Sequence, residues 1–390
     1  MITIEKAYNM VMRNAYHLAH EKVNYIHSLG RILAEDVQSD IEMPPFDKAA
    51  MDGYACRRED LENTLEMVEV IPAGKYPEKE VGKNQCAKIM TGAPVPNGAD
   101  CIVPVEIAEE LDANRVKALE DPGKSNISYQ AEDVGIGDKV LSQGIKINAQ
   151  HIAIFAAVGY TEVLVYKQPR VGIISTGDEL VEPDQKPSRS QIRNSNGYQL
   201  IAQVQASGGI ANYIGIADDT PEDTYAKVSK ALKESDIVLL TGGVSMGSFD
   251  FVPRVLEQAG VKIDFDALAV KPGKPTTFGM AGKKFCFGLP GNPVSSFMQF
   301  DLLVKPLIYK LMGQDYEPLD IKMPMGVDYT RRGTRRKAYF PVIIKNGEVF
   351  PVDYHGSAHI HALSLAHGIA AIEIGVPEIK KGERIHVRQI

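Results

Sequence analysis

Between residues 169 and 314 apolar positions alternate between two rhythms. Near-continuous runs such as "RVGIIST", "IANYIGIA", "DIVLLTGG" and "KKFCFGLPG" read as buried strands. Between them "SNGYQLIAQVQASGG", the proline-opened "PEDTYAKVSKALKES" and "DFVPRVLEQAG" read as amphipathic helices, and "PVSSFMQFDLLVKPLIYKLMG" as a long closing one. Strand–helix alternation of this kind predicts a doubly wound, mainly parallel sheet. Upstream, apolar residues at helical spacing through Tyr8, Val11, Ala15 and Leu18 predict helix over 2–35. From Asp36 to Asp133 the pattern shifts to short β-like runs such as "LEMVEVI", broken by Pro and Gly. Residues 140–168 hold one helix, "NAQHIAIFAAVG", and one strand, "EVLVY"; after Gly313 short strands return, predicting a small β-domain.

Composition narrows the class. A chain of 390 residues is too long for one core, so several domains are expected. No apolar run approaches the roughly 20 residues of a membrane helix, and the charged, amphipathic start lacks the cationic and apolar regions of a signal peptide. The four cysteines (Cys56, Cys86, Cys101, Cys286) form no CxxC pair, which suits a reducing cytoplasm. A net charge of −7 gives no footprint for nucleic acid or an anionic membrane. Any anion bound here must meet a local site.

In an open α/β sheet that site lies beyond the carboxyl ends of the strands, and the unusual residues fall there. The first strand leads into Thr176, Gly177, Asp178 and Glu179. "TGGVSMGSFD" follows the third, with Gly242, Gly243, Ser245 and Asp250. "KPGKP" carries Lys271 and Lys274 on a proline–glycine turn, and "LPGNPVSS" brings Pro290, Gly291, Asn292, Pro293 and Ser295 to a helix start. Glycine turns at helix N-termini aim amide donors at phosphates. Carboxylates on the same edge repel an anion unless a divalent metal intervenes, which makes Glu179 and Asp250 candidates for metal or substrate contacts. Asp178 reads equally as a turn or capping residue. Loops "MPPFDKAAMDGYA", "KIMTGAPVPNGAD" and "AEDVGIGD" reveal no chemistry alone.

Six ordered strings, "PPFDKAAMDGYA", "IMTGAPVPNGADCIVPVE", "ISTGDELVEP", "TGGVSMGSFDF", "KPGKPTTFG" and "GLPGNPVSS", resemble those of the molybdopterin molybdenumtransferases, bacterial relatives of the E-type domain of gephyrin. The resemblance runs from about residue 5 to the C-terminus. It implies a linker domain from 1–25 and 137–168, an inserted β-rich domain at 26–136, a molybdopterin-binding α/β domain at 169–314 and a C-terminal β-domain at 315–390. It also implies a homodimer whose cleft joins the α/β domain of one subunit to the inserted domain of the other. The implied reaction inserts molybdate into adenylylated molybdopterin with Mg²⁺ and releases AMP; an adenylyltransferase supplies the substrate.

By the same resemblance Lys271, Lys274, Ser295, Arg336 and Ser357 hold molybdate. Asp52, Asp133, Glu179 and Asp250 serve catalysis, the last two binding Mg²⁺. The pterin nucleotide takes the strand-end residues named above together with Asn194, Ser195 and Asn196. The sequence departs from the family pattern at Asn194 (an aspartate there), Ser128 (an arginine), Ala131 (a glycine) and Pro341 (an arginine). The C-terminal domain adds His359, His361 and His367 beside His355; zinc is one reading of these and solvent-facing histidines the other.

Two other readings compete. An adenylyltransferase or nucleotide pyrophosphatase built on the α/β domain has no need of "PPFDKAAMDGYA". A gephyrin-like scaffold could let its lysines and carboxylates decay, and they are intact.

Overall fold

The computed structural model describes residues 1–243, 252–353 and 356–390. Among them three six-stranded sheets carry the architecture, joined by two-stranded ribbons.

The α/β sheet runs in the order Ile210–Ala217, Arg170–Thr176, Ile237–Thr241, Lys284–Leu289, Pro275–Ala281, Lys262–Ala267. The first four strands are parallel; Pro275–Ala281 runs against them, and Lys262–Ala267, antiparallel to it, runs with them again. The chain steps one way from its first strand to its second and the other way to its third, so the order reverses between Arg170–Thr176 and Ile237–Thr241. Both faces are buried, as the unbroken apolar runs predict. Val171, Ile173, Leu239 and Phe287 pack on one side with Leu200, Val204 and Leu307 of the helices. Ile174, Val238, Leu240 and Cys286 alternate to the other side, against Val228, Val252 and Val255. The long closing helix is Pro293–Gln299 and Lys305–Leu311, joined by a π-helical turn at Phe300–Val304.

The helix expected over 2–35 is corrected. Only Ile4–Met12 is helical, and the Asn14 side chain donates to the Met10 carbonyl at its end. The chain then forms the strand His20–Asn24, antiparallel to Glu162–Tyr166, and a 3₁₀ turn at Tyr25–Ser28. Cross-strand pairing overrides the spacing, because Val23 packs into a core with Val163, Val165 and Phe155 that lies far away in sequence.

The second sheet orders Cys101–Pro104, Gly53–Cys56, Gln85–Ile89, Thr64–Ile71, Arg115–Ala118, Ala108–Asp112. At Gly53 a Cβ would collide with the Val103 carbonyl, so Asp52-Gly53 must end in glycine for this strand pair to close. The C-terminal sheet takes in Val270–Lys271, a stretch lying between two α/β strands, which pairs parallel with Lys337–Ala338. One short strand thus fastens the C-terminal domain to the carboxyl edge of the α/β sheet.

Candidate anion-binding cleft

Antiparallel geometry explains why "KPGKP" joins the other turns. It connects Lys262–Ala267 to Pro275–Ala281, and because Pro275–Ala281 runs against Lys284–Leu289, the turn sits beside Pro290 at the strands' carboxyl edge. Its conformation is held from below. Gly273 has φ +101°, and a Cβ there would strike the side chain of the fully buried Gln299. Gln299 Nε2 donates to the Pro272 carbonyl at 3.3 Å, Thr276 Oγ1 to the Gly273 carbonyl at 3.0 Å, and the Leu268 amide to the Lys274 carbonyl at 2.8 Å. Both lysine side chains remain exposed.

Above the turn opens a cavity of about 780 Å³ shared by the α/β and C-terminal domains. Lys271, Lys274, Ser295, Arg336 and Ser357, assigned to one pocket from sequence, all line it. Ser295 is nearly buried, whereas Ser357 accepts from Asn292 Nδ2 at 2.9 Å through its hydroxyl. Arg336 Nη1 donates to the Val270 carbonyl at 3.2 Å. Among the described residues the lining carries five cationic side chains and no carboxylate. Two of the five, Arg331 and Arg332, were missed in sequence, as was Tyr329; the basic string "TRRGTRRK" was the available signal.

The neighbouring turns form a second, contiguous wall. Asn194 caps Ser195–Ala206: its Oδ1 accepts from the Gly197 amide at 3.0 Å and Ser175 Oγ at 2.9 Å, while Nδ2 donates to the Tyr213 hydroxyl at 2.8 Å. Burial, with Glu182 accepting a hydrogen bond from the tyrosine hydroxyl, pushes the Tyr213 pKa well up. Asn196 Nδ2 bridges Thr241 Oγ1 at 3.0 Å and the Gly291 carbonyl at 2.7 Å, tying two strand ends together, and Ser195 beside it is exposed. Gly242 has φ +98° and packs on Thr176, where a Cβ would collide with the carbonyl; a Cβ at Gly243 would meet Val252 and then Thr176 Oγ1. Among the described residues Thr176 Oγ1 and Asn196 Oδ1 are buried without hydrogen-bond partners, an arrangement that a bound polar ligand would satisfy. Pro293 opens the helix that follows Asn292.

The carboxylates divide. Asp178 Oδ1 accepts from the Asp219 amide at 2.9 Å, tying its loop to the one that follows Ile210–Ala217. Glu179 is exposed and folds back over Gly177, against the space that a Cβ would fill. Ser245, Asp250 and His355 lie outside the described residues. Among those described, no three carboxylate, histidine or cysteine groups gather closely enough to hold a metal ion. Mg²⁺ is usually held through one or two carboxylates and a substrate's phosphates, and of the two carboxylates expected for it only Glu179 is described. His367 Nδ1 accepts from the Ile344 amide at 3.2 Å.

Asp52 and Asp133 sit elsewhere. Asp52 is exposed and accepts from the Thr91 hydroxyl at 2.7 Å and amide at 2.6 Å, bonds that hold its carboxyl below the usual carboxylate range. Asp133 lines two hollows with Met43 and Ala157, between the inserted and linker segments. No described residue of the inserted sheet lines the basic cavity. Lys48, cross-strand from Ser128, points to the same hollow as Asp133.

Comparison with known proteins agrees along the whole chain. Residues 2–159 match the MoeA N-terminal region (domain I and II), 172–310 the probable molybdopterin binding domain, and 322–390 the MoeA C-terminal region (domain IV). A molybdopterin molybdenumtransferase of Staphylococcus epidermidis is 34% identical over 397 residues, covering 99% of this chain and 95% of the relative. One from Staphylococcus aureus is 34% identical over 373 residues, covering 92% and 88%. A solved molybdopterin biosynthesis MoeA protein of Pyrococcus horikoshii superposes with a TM-score of 0.87 at 28% identity, over 100% of both chains. With three consecutive family regions, full-length identity above 30% and one shared fold, the chain belongs to the molybdopterin molybdenumtransferase (MoeA) family.

Proposed function

We propose that this enzyme inserts molybdenum, supplied as molybdate, into adenylylated molybdopterin and releases AMP, a transferase step in molybdenum cofactor biosynthesis. The observation that carries this reading is the basic cavity, whose described lining holds five cationic side chains and no carboxylate and which meets the glycine turns through Pro290 and Asn292. A tetrahedral oxyanion suits ammonium groups on a turn that does not flex, since none of its binding energy is spent on ordering the site. Lys271 and Lys274 supply charge, Ser295 and Ser357 hydroxyls, and Arg336 a guanidinium. The nucleotide lies along Thr176–Gly177, Gly242–Gly243 and Pro290–Pro293, with Asn194, Ser195 and Asn196 at the pterin edge.

Glu179, with Asp250, would hold Mg²⁺, which when bound neutralises charge at the phosphate linkage. Asp52 and Asp133 act on the cleft of a second copy, because the inserted sheet contributes nothing to the basic cavity of its own chain. We place the homodimer in the cytoplasm, fed by the adenylyltransferase that makes its substrate.

The test is incubation of the purified protein with adenylylated molybdopterin, molybdate and Mg²⁺, measuring AMP and mature cofactor. Folded protein that releases AMP without forming cofactor would be a pyrophosphatase; protein that does neither would end the proposal.

A further inference from the structure

We propose that Arg331 is a positioning residue for the oxyanion cavity, acting through Arg336. Although Arg331 lines the cavity, each of its three guanidinium nitrogens donates to a backbone carbonyl. Nε donates to the Val376 carbonyl at 2.7 Å, Nη1 to the Arg336 carbonyl at 2.8 Å and Nη2 to the Glu373 carbonyl at 2.6 Å. A planar fork that spans three carbonyls fixes their mutual geometry in a way that a point charge cannot.

What it fixes is the segment that presents Arg336. Tyr329–Thr330 pairs with Glu378–Ile379, the Arg331 amide donates to the Pro377 carbonyl at 3.0 Å, and the Gly375 amide donates to the Thr334 carbonyl at 2.9 Å. The loop is therefore clamped along one side to residues 373–377, and Arg331 closes the clamp by gripping the backbone of Arg336 itself. From there the path runs to the anion site. Arg336 Nη1 reaches the Val270 carbonyl, the residue before Lys271, and the Lys337 amide donates to the Ala269 carbonyl at 2.9 Å. Moving the Arg336 backbone moves a guanidinium in the cavity. Arg332, next in sequence, is exposed and lines the same cavity. Both arginines line the cavity, but they differ in role: the Arg331 guanidinium is bonded to backbone carbonyls, whereas Arg332 is exposed.

The proposal rests on the cavity being the molybdate site, and the experiment separates the two. The molybdate dependence of AMP release is measured for Arg331→Gln, Arg336→Ala and the double variant, with thermal melts confirming folding. Arg336→Ala is expected to raise the molybdate KM roughly ten- to a hundredfold. Arg331→Gln is expected to raise it by about tenfold with a smaller change in kcat, and the double variant to match Arg336→Ala, since effects routed through one group do not add.

If the double variant showed the product of the single effects, or Arg331→Gln kept the wild-type KM, Arg331 would not act through Arg336. An unchanged KM in Arg336→Ala would remove the molybdate reading of this cavity and the proposal with it. Should Arg331→Gln fail to fold, Arg331→Lys takes its place in the same cycle. An ammonium cannot span three carbonyls, so a shifted KM that merges with Arg336→Ala supports positioning, and a wild-type KM refutes it.

Discussion

Lys271 and Lys274 differ from ordinary surface lysines in what lies beneath them, a turn pinned by buried Gln299 and Thr276. Replacing either with Ala should raise the molybdate requirement roughly ten- to a hundredfold, the worth of one charge-assisted contact. Binding of the pterin nucleotide, spread over several turns, should change far less. Lys271→Arg should not restore function, because a planar fork does not reproduce a compact ammonium. A molybdate titration run beside nucleotide binding checks this; lost nucleotide affinity with a normal molybdate response would move the lysines to the phosphates. A second residue-scale effect lies at Ala131, which sits at φ +59° where the family pattern has glycine. A Cβ in the left-handed region costs about 1–2 kcal/mol, and glycine's extra unfolded-state entropy offsets roughly 0.4–1 of it. Ala131→Gly should therefore be neutral to slightly stabilising in denaturant unfolding, and a clear loss of stability would show that the strain is absorbed elsewhere.

At the scale of elements, the turn from Lys271 to Lys274 behaves as one unit with the π-helical stretch behind it, since Gln299 immediately precedes Phe300–Val304. Gly273→Ala would add a left-handed Cβ and push it into Gln299, whose side chain has no exposed surface into which to move. The expected loss is about 2–3 kcal/mol of stability, from backbone strain and overpacking together. The molybdate KM should rise as well, because both lysines ride on the displaced turn. An Ala variant with wild-type stability and wild-type KM would show that the turn is not the rigid support described.

At the scale of the whole molecule, Asp52 and the basic cavity belong to different parts of the chain. A dimer with two shared clefts makes a sharp prediction about mixing. Asp52→Ala and Lys271→Ala homodimers should each be poorly active, yet subunit exchange should restore roughly a quarter of wild-type turnover. Half of the dimers are then mixed, and each of these has one cleft with both native residues. Light scattering should give twice 42.7 kDa. If mixing restored nothing although exchange was verified by tagged subunits, Asp52 would act within its own chain or not at all.

By itself the sequence determined the α/β domain. Runs such as Arg170–Thr176 and Ile237–Thr241 are buried on both faces and so carry an unbroken apolar signal, and the helices between them repeat every turn. It also pointed to part of the cavity lining, because a Pro-Gly pair between lysines is a local signal and the family strings extended it to Ser295, Arg336 and Ser357, but it missed Tyr329, Arg331 and Arg332. Helix spacing misled at His20–Asn24, where the deciding contact is a strand more than a hundred residues away. Only the tertiary structure decided that Val270–Lys271 crosses to the C-terminal sheet, that Arg331 donates to three backbone carbonyls, and that Asp178 accepts from the amide of Asp219. Each of these depends on which carbonyl or amide lies opposite a side chain after distant segments have packed, and no local pattern encodes that partner.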